Sequence, residues 1–81
     1  PLRNVEQAEL KADAVRALRE LSPAKREALV LRLYSELPYQ EISRVVGAPV
    51  GTVKFRVHEA LRDLSKLMEG SDEKRAANDG S

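Results

Sequence analysis

The chain has 81 residues, of which 42% are hydrophobic, 33% are charged and 4% are aromatic, and it contains no cysteine. This length allows one small domain, and the lack of cysteine excludes disulfides and thiolate metal sites. No apolar run approaches the roughly 20 residues of a membrane span, and no signal-peptide core is present. We therefore expect a soluble all-α domain without membrane insertion. The chain begins at Pro1 rather than at a methionine, so we expect a piece of a longer protein.

Two helices are predicted in the first part of the chain. The first is predicted to run from an N-cap at Asn4 to about Leu21. Its apolar stripe comprises Leu10, Ala14, Ala17, Leu18 and Leu21. The second is predicted to start at Ser22-Pro23, because serine caps a helix and proline fits the first helical position. Its segment 28–33 is apolar on nearly every side, which predicts the most buried helix of the domain.

A third and a fourth helix are predicted on either side of a turn that contains glycine. The third is predicted from Pro38-Tyr39 to Gly47, since glycine adopts the left-handed conformation that ends a helix. Its apolar stripe comprises Ile42, Val45 and Val46. The fourth is predicted from Val50 to Met68, with an inward stripe of Val53, Val57, Ala60 and Leu64. A short helix, a tight turn and a longer helix are typical of a helix-turn-helix, which makes DNA the leading partner.

The predicted hydrophobic core lies where these four helices meet. The stripes on the second, third and fourth helices are expected to face one another, because each helix must bury its apolar side. The predicted centre of the core comprises Leu29, Leu33, Ile42, Val46, Val53 and Val57. The fold class that follows is a small four-helix domain with a C-terminal helix-turn-helix.

The charge distribution supports a nucleic-acid partner, although the net charge is only +1. Residues 42–66 carry five cations and two acids, whereas residues 69–81 carry four acids and two cations. The basic part is therefore the candidate DNA-binding surface. After Gly70 the sequence has no apolar periodicity, which predicts disorder. We expect an N-terminal helix and linker over 1–21, a helix-turn-helix DNA-binding core over 22–69 and a disordered acidic tail over 70–81.

The residues of the fourth helix that point away from the core are the predicted DNA contacts. Lys54 and Arg56 lie on opposite flanks of this helix, where phosphates are within reach. Phe55 can pack on a thymine methyl group, and Glu59 can accept a hydrogen bond from cytosine N4. Thr52 and the free amides of the first turn can bind a phosphate. The predicted DNA-binding residues are Thr52, Lys54, Phe55, Arg56, His58, Glu59 and Arg62.

Simpler interpretations of the same residues stay open. A charged helical face is often only solvated, and for Arg62 and Lys66 this interpretation stands beside DNA contact. Phe55 can instead fold back onto the domain or cover the surface of a partner. His58 is the only histidine, and one histidine does not assemble a metal site, so an exposed polar residue is the simpler reading.

Nothing in the sequence indicates catalysis. The carboxylates stand three or four residues from cations, as in Glu59–Arg62 and Asp63–Lys66, which predicts surface ion pairs rather than acid/base couples. The sequence has no glycine-rich phosphate loop and no arrangement of nucleophile and base. We expect a protein that is not an enzyme and needs no cofactor.

Residues 22–64, SPAKREALVLRLYSELPYQEISRVVGAPVGTVKFRVHEALRDL, resemble region 4 of bacterial sigma factors of the extracytoplasmic-function (ECF) type. The Gly-Thr-Val-Lys-x-Arg motif after Glu-Ile is the most specific part of the resemblance, which covers roughly residues 18–67. It implies recognition of the −35 promoter element by residues 50–68 and contact with the β flap of RNA polymerase. It also implies possible capture by an anti-sigma factor and a location in the bacterial cytoplasm. Phe55 stands where the family usually has serine, and Glu59 where a basic residue is common.

The resemblance further implies that the chain is the C-terminal DNA-binding domain of a larger sigma-like protein, because the region that melts the promoter is absent. Two other functions stay open from the residues alone. One is a stand-alone helix-turn-helix transcription regulator. The other is a protein-interaction module that binds an anti-sigma factor or polymerase and has little affinity for DNA. Binding to promoter DNA separates the last from the others, since phosphate contacts weaken steeply with salt.

Overall fold

In the computed structural model the described part of the chain consists of four α-helices and contains no strand. The structure describes the backbone of residues 2–79 and the side chains of residues 6–70. The helices are α1 (Leu2–Glu20), α2 (Pro23–Leu33), α3 (Tyr39–Val46) and α4 (Val50–Asp79). The predicted all-α fold with a C-terminal helix-turn-helix is confirmed.

The predicted start of α2 and both predicted ends of α3 are confirmed together with their physical cause. The Ser22 hydroxyl accepts a hydrogen bond from the Lys25 amide at 3.4 Å, and Pro23 occupies the first turn of α2. Pro38 precedes α3 without a side-chain cap, as its lack of a side-chain oxygen predicts. At the other end Gly47 has φ of 70°, the left-handed conformation that ends α3.

Two other helix ends differ from the predictions. The helix α1 already begins at Leu2, so the predicted N-cap at Asn4 is wrong, because that residue lies within the first turn. The helix α4 continues past Met68 and through Gly70 to Asp79, where the sequence predicted disorder. A single glycine costs a helix about 1 kcal/mol relative to alanine, and no proline follows to stop it. Residues 80–81 lie outside the described residues, and the division of the chain into functional segments stays a prediction.

The core lies where α2, α3 and α4 meet, with the end of α1 against it. Its buried residues are Leu21, Ala28, Leu29, Ile42, Val53, Val57 and Ala60. Four of the six predicted core residues, Leu29, Ile42, Val53 and Val57, are among them. Val46 is half-buried and packs against this cluster. These contacts fix the position of α4, which supplies three of the seven buried side chains.

Leu33 is not a core residue, contrary to the prediction. Its exposed fraction is 57%, because Leu33 is the last residue of α2 and the chain turns away there. The amide of Leu37 donates to the Leu31 carbonyl at 3.0 Å, and this turn brings Leu37 against the core instead. Val30 is also exposed, so α2 is less buried than its composition predicted.

On α1 and α3, fewer residues of the predicted apolar stripe are buried than the sequence predicted. On α3, Ile42 is fully buried and Val46 is half-buried, whereas Val45 has an exposed fraction of 60%. On α1, Ala17 is buried, as is Leu21 directly after the helix, but Leu10, two turns before Ala17, is exposed. Each helix touches the core along a strip narrower than its apolar face, which leaves several apolar side chains on the surface.

Candidate nucleic-acid interface

The turn between α3 and α4 is held by hydrogen bonds that converge on one serine. The amides of Gly47 and Ala48 donate to the Ser43 carbonyl at 2.9 and 3.2 Å. The Ser43 hydroxyl donates back to the Ala48 carbonyl at 2.5 Å. The Val53 amide donates to the Pro49 carbonyl at 3.0 Å and opens α4. Together these bonds satisfy the end of α3 and set its orientation relative to α4.

The two faces of α4 have different environments, as the helical spacing predicted. Val53 and Ala60 are fully buried, and Val57 is almost fully buried. The opposite face is open to solvent and carries Lys54, Phe55, His58 and Arg62. Phe55 has an exposed fraction of 62%, so it does not fold back onto the domain. An outward aromatic ring between cations is available to contact a partner.

One flank of α4 faces the start of α2 and carries an ion pair between the two helices. Thr52, Arg56, Glu59 and Asp63 are half-buried along this flank. The Lys25 Nζ atom lies 2.8 Å from Asp63 Oδ2. This hydrogen bond is the main cause that lowers the pKa of Asp63 and raises the pKa of Lys25, and the nearby Glu59 carboxylate raises the latter further.

The position of Asp63 corrects the sequence-based pairing. The carboxylate pairs with Lys25 of α2 rather than with Lys66, one turn further along α4. Both acids of this part of α4 therefore lie on the side that faces α2. Lys54 and Arg62 remain on the exposed side, which is more cationic than the sequence alone suggested.

The other flank of α4 carries a cluster that sequence reasoning missed. The Lys54 Nζ atom lies 5.6 Å from the centroid of the Tyr39 ring at the start of α3. The Arg32 guanidinium of α2 lies 4.7 Å from the same centroid, and its Nη1 atom donates to the Leu37 carbonyl at 3.2 Å. Three helices thus meet at one aromatic ring. No spacing in the sequence signals this cluster, because its members come from three separate helices.

The structure brings the predicted DNA-binding residues together on one helix but in two environments. Lys54, Phe55, His58 and Arg62 are exposed, whereas Thr52, Arg56 and Glu59 are half-buried on the flank that faces α2. Lys54 and Arg56 lie on opposite flanks, as predicted. Within the described residues there is no cluster of acidic or histidine side chains with metal-ligand geometry. None of the described helices is both long and apolar enough to cross a membrane.

Comparisons with known proteins agree on one family. The family model described as "Sigma-70, region 4" matches residues 11–64. The chain is 33% identical over 61 residues to the RNA polymerase sigma-H factor of Pseudomonas aeruginosa, covering 75% of this chain and 32% of that protein. It is 35% identical over 54 residues to the ECF RNA polymerase sigma factor SigK of Mycobacterium tuberculosis, covering 67% of this chain and 29% of that protein.

A solved structure supports the same assignment at the level of the fold. A chain of the 1.8 Å structure of the RsbN–BldN complex has a TM-score of 0.68 and 32% sequence identity, covering 80% of this chain and 47% of that chain. This chain spans about a third of the length of the curated relatives it matches. The matched residues run from α1 through the helix-turn-helix into α4, and the chain belongs to the sigma-70 region 4 family.

Proposed function

We propose that the chain is the DNA-binding domain of a bacterial RNA polymerase sigma factor of the ECF type, acting in the cytoplasm. In this proposal α4 enters the major groove of the −35 promoter element, and the domain directs transcription initiation without catalysing a reaction. The exposed face of α4 is the observation that carries the proposal. It presents Lys54, Phe55 and Arg62 to solvent, while Asp63 pairs with Lys25 on the side of α2.

The exposed and half-buried residues of α4 have different proposed roles. Lys54 and Arg56 supply affinity through phosphates on either side of the groove, with Thr52 at the first turn. Phe55 and Glu59 tune the preference for bases, through a thymine methyl and a cytosine amino group. His58 and Arg62 extend the outward face further along the helix.

A second surface is proposed to hold the domain on polymerase. Val30, Leu33 and Tyr34 form an exposed apolar group at the C-terminal end of α2, which we name the α2 apolar surface. Tyr34 is the most exposed of the three, with an exposed fraction of 87%. Exposed apolar groups of this kind mark protein-binding surfaces, and we propose that this one docks on the β flap.

Docking on polymerase is expected to be necessary for stable promoter recognition. A single helix-turn-helix contacts one short stretch of groove, without the second half-site that a symmetric dimer supplies. Attachment to the β flap makes DNA binding intramolecular, which raises the effective concentration of α4 at the promoter. We therefore expect the isolated 81-residue chain to bind promoter DNA weakly. Nanomolar, sequence-specific binding by the isolated monomer would contradict this expectation.

The proposed DNA contact is tested by Lys54→Ala in fluorescence titrations with several duplexes over a range of salt concentrations. We expect weaker binding to all sequences by about the same factor, and a salt slope smaller by about one unit, because one phosphate contact is lost. Lys11→Ala is the matched control, since Lys11 is an exposed lysine on α1, outside the helix-turn-helix. A changed base preference with an unchanged salt slope would show that Lys54 reads bases instead.

A protein-interaction module is the second candidate, favoured by the α2 apolar surface. The structural neighbour belongs to a solved complex of two proteins, RsbN and BldN. In this alternative the surface binds an anti-sigma factor or polymerase, and α4 contributes little DNA affinity. The same titrations separate the two functions, because a protein module shows no salt-dependent duplex binding.

A further inference from the structure

We propose that Tyr39 is a positioning residue for DNA binding, because its ring holds the Lys54 ammonium in place for a phosphate. This inference deepens the proposed function and rests on it. The relevant contact joins the first residue of α3 to the second turn of α4, across the turn of the helix-turn-helix. Tyr39 itself need not touch DNA in this arrangement.

The ring is better fixed than the lysine it faces. Tyr39 is half-buried and packs against the core cluster, whereas Lys54 is exposed. The Arg32 guanidinium lies over the same ring at 4.7 Å and is tied to the Leu37 carbonyl. Arg32 and Tyr39 therefore form an anchored pair, and Lys54 is the solvent-exposed member whose position the ring restricts.

The physical gain is a smaller loss of side-chain freedom when DNA binds. A free lysine side chain loses substantial rotamer entropy when its ammonium is held at one phosphate. A cation held over an aromatic face has already lost part of that freedom before DNA arrives. The aromatic face accepts no conventional hydrogen bond from the ammonium, so the three N–H donors of Lys54 stay available to phosphate oxygens.

The face of the ring, rather than the hydroxyl group, is the active feature in this inference. Phenylalanine keeps an aromatic face and leucine does not. We therefore expect Tyr39→Phe to bind DNA like the natural chain, and Tyr39→Leu to bind about threefold more weakly, because Lys54 then loses all of its side-chain freedom at the moment of binding. Tyr39→Met is a second non-aromatic variant of similar length, for use if leucine prevents folding.

The experiment combines two readouts on the 81-residue chain. The first is the affinity for a short duplex of mixed sequence at low salt. It is measured for the natural chain and for Tyr39→Phe, Tyr39→Leu, Lys54→Gln and the Tyr39→Leu/Lys54→Gln double variant. Lys11→Gln is the control for the loss of one positive charge. The second is the NMR chemical shift of the Lys54 side-chain protons without DNA. We expect the ring to shift these protons upfield in the natural chain and in Tyr39→Phe, but not in Tyr39→Leu.

The double variant decides between positioning and a general structural role. We expect Tyr39→Leu to weaken binding clearly less when Lys54 is already glutamine, because the residue it positions is gone. An equal loss in both backgrounds would overturn the inference, and so would tighter binding by Tyr39→Leu, which would mean that the ring competes with phosphate for Lys54. A loss with Lys54→Gln but none with Tyr39→Leu would overturn the inference and leave the proposed function intact. No loss with Lys54→Gln would overturn the inference together with the proposed phosphate contact of Lys54, whereas a natural chain without salt-dependent duplex binding would overturn the proposed function itself.

Discussion

Two apolar groups of this domain have similar composition but opposite environments. On α4, Val53, Val57 and Ala60 are buried against α2 and α3. At the end of α2, Val30, Leu33 and Tyr34 are exposed. Each group recurs at helical spacing along its own helix, so the local pattern does not distinguish them.

The difference comes from what lies opposite each group. The inward face of α4 is covered because the turn at 47–49 folds α3 back across it. At the end of α2, Val30, Leu33 and Tyr34 are left uncovered by the described residues, since the chain leaves α2 at Leu33 and Leu37 packs against the core instead. One apolar group therefore stabilises the fold, and the other is available to a partner protein.

The largest expected effect is the difference in stability between a charged variant of the buried apolar group and one of the exposed group. Val53→Asp puts an unpaired charge into the core, at a cost of several kcal/mol that a domain this small does not tolerate, so we expect it to be unfolded. Leu33→Asp places the same charge at an exposed position and should change the free energy of unfolding by about 0.5 kcal/mol or less. Circular dichroism melting curves of both variants test the comparison. A Leu33→Asp variant that unfolds would place this residue back in the core.

The second prediction concerns what the exposed group binds. Leu33→Asp and Tyr34→Asp should each weaken binding of the domain to the β flap by about tenfold or more, because they remove apolar contacts from the centre of the surface. Val45→Asp is the matched control, since it introduces the same charge at an exposed valine on α3. Pull-down or calorimetric titration with the isolated flap measures the effect. Equal losses in all three variants would show that charge, rather than the α2 apolar surface, determines binding.

The third prediction compares the two turns that flank α3. Gly47 and Glu36 both have positive φ, at 70° and 56°. Gly47→Ala should lower the free energy of unfolding by about 1 kcal/mol through backbone strain alone, because an added Cβ meets no atom within 4 Å. Glu36→Gly relieves strain but adds freedom to the unfolded chain, so we expect a gain of at most about 0.5 kcal/mol. Urea denaturation of both variants checks the signs, and a destabilised Glu36→Gly would show that Glu36 makes a stabilising contact.

The smallest effect concerns the ion pair that joins the start of α2 to α4. The pKa of Asp63 is lowered from 3.8 by Lys25. The contribution of Asp63 to stability is therefore present above pH 3.8, and it is lost as the pH falls through the lower pKa of the folded state. The pKa of Lys25 is raised from 10.5 by Asp63, so its contribution is present below pH 10.5 and is lost as pH rises through the higher folded value. Asp63→Asn should therefore melt slightly below the natural chain between these limits.

The difference between Asp63→Asn and the natural chain should shrink at both extremes of pH. Melting temperatures measured across the pH range check this shape, with Glu20→Gln on α1 as a control for lost negative charge. A difference that persists unchanged well below pH 3.8 would show that the amide acts through packing rather than through the loss of the ion pair.

Local signals in the sequence were sufficient for the helix-turn-helix. Ser22-Pro23 and Gly47 set helix ends through their own side chains or backbone preferences, which need no distant partner. Val53 and Val57 were correctly assigned to the core because, at about 100° per residue, they share one apolar face of α4 with Ala60 and Leu64. The same helical angles placed Lys54 and Arg56 on opposite flanks.

Tertiary structure alone decided the features that depend on other helices. Leu33 is the same residue type as Leu29 and stands four residues further along the sequence, so the helical pattern treats the two alike. In the structure Leu37 packs against the core instead, after the chain turns at the end of α2. Asp63 was within reach of Lys66 along α4, but Lys25 of α2 is held closer by the packing of the two helices. The contact of Tyr39 with Lys54 likewise depends on how α3 and α4 pack together. Sequence determines the conformation that each segment prefers, whereas pairing across helices depends on distances that exist only once the core has formed.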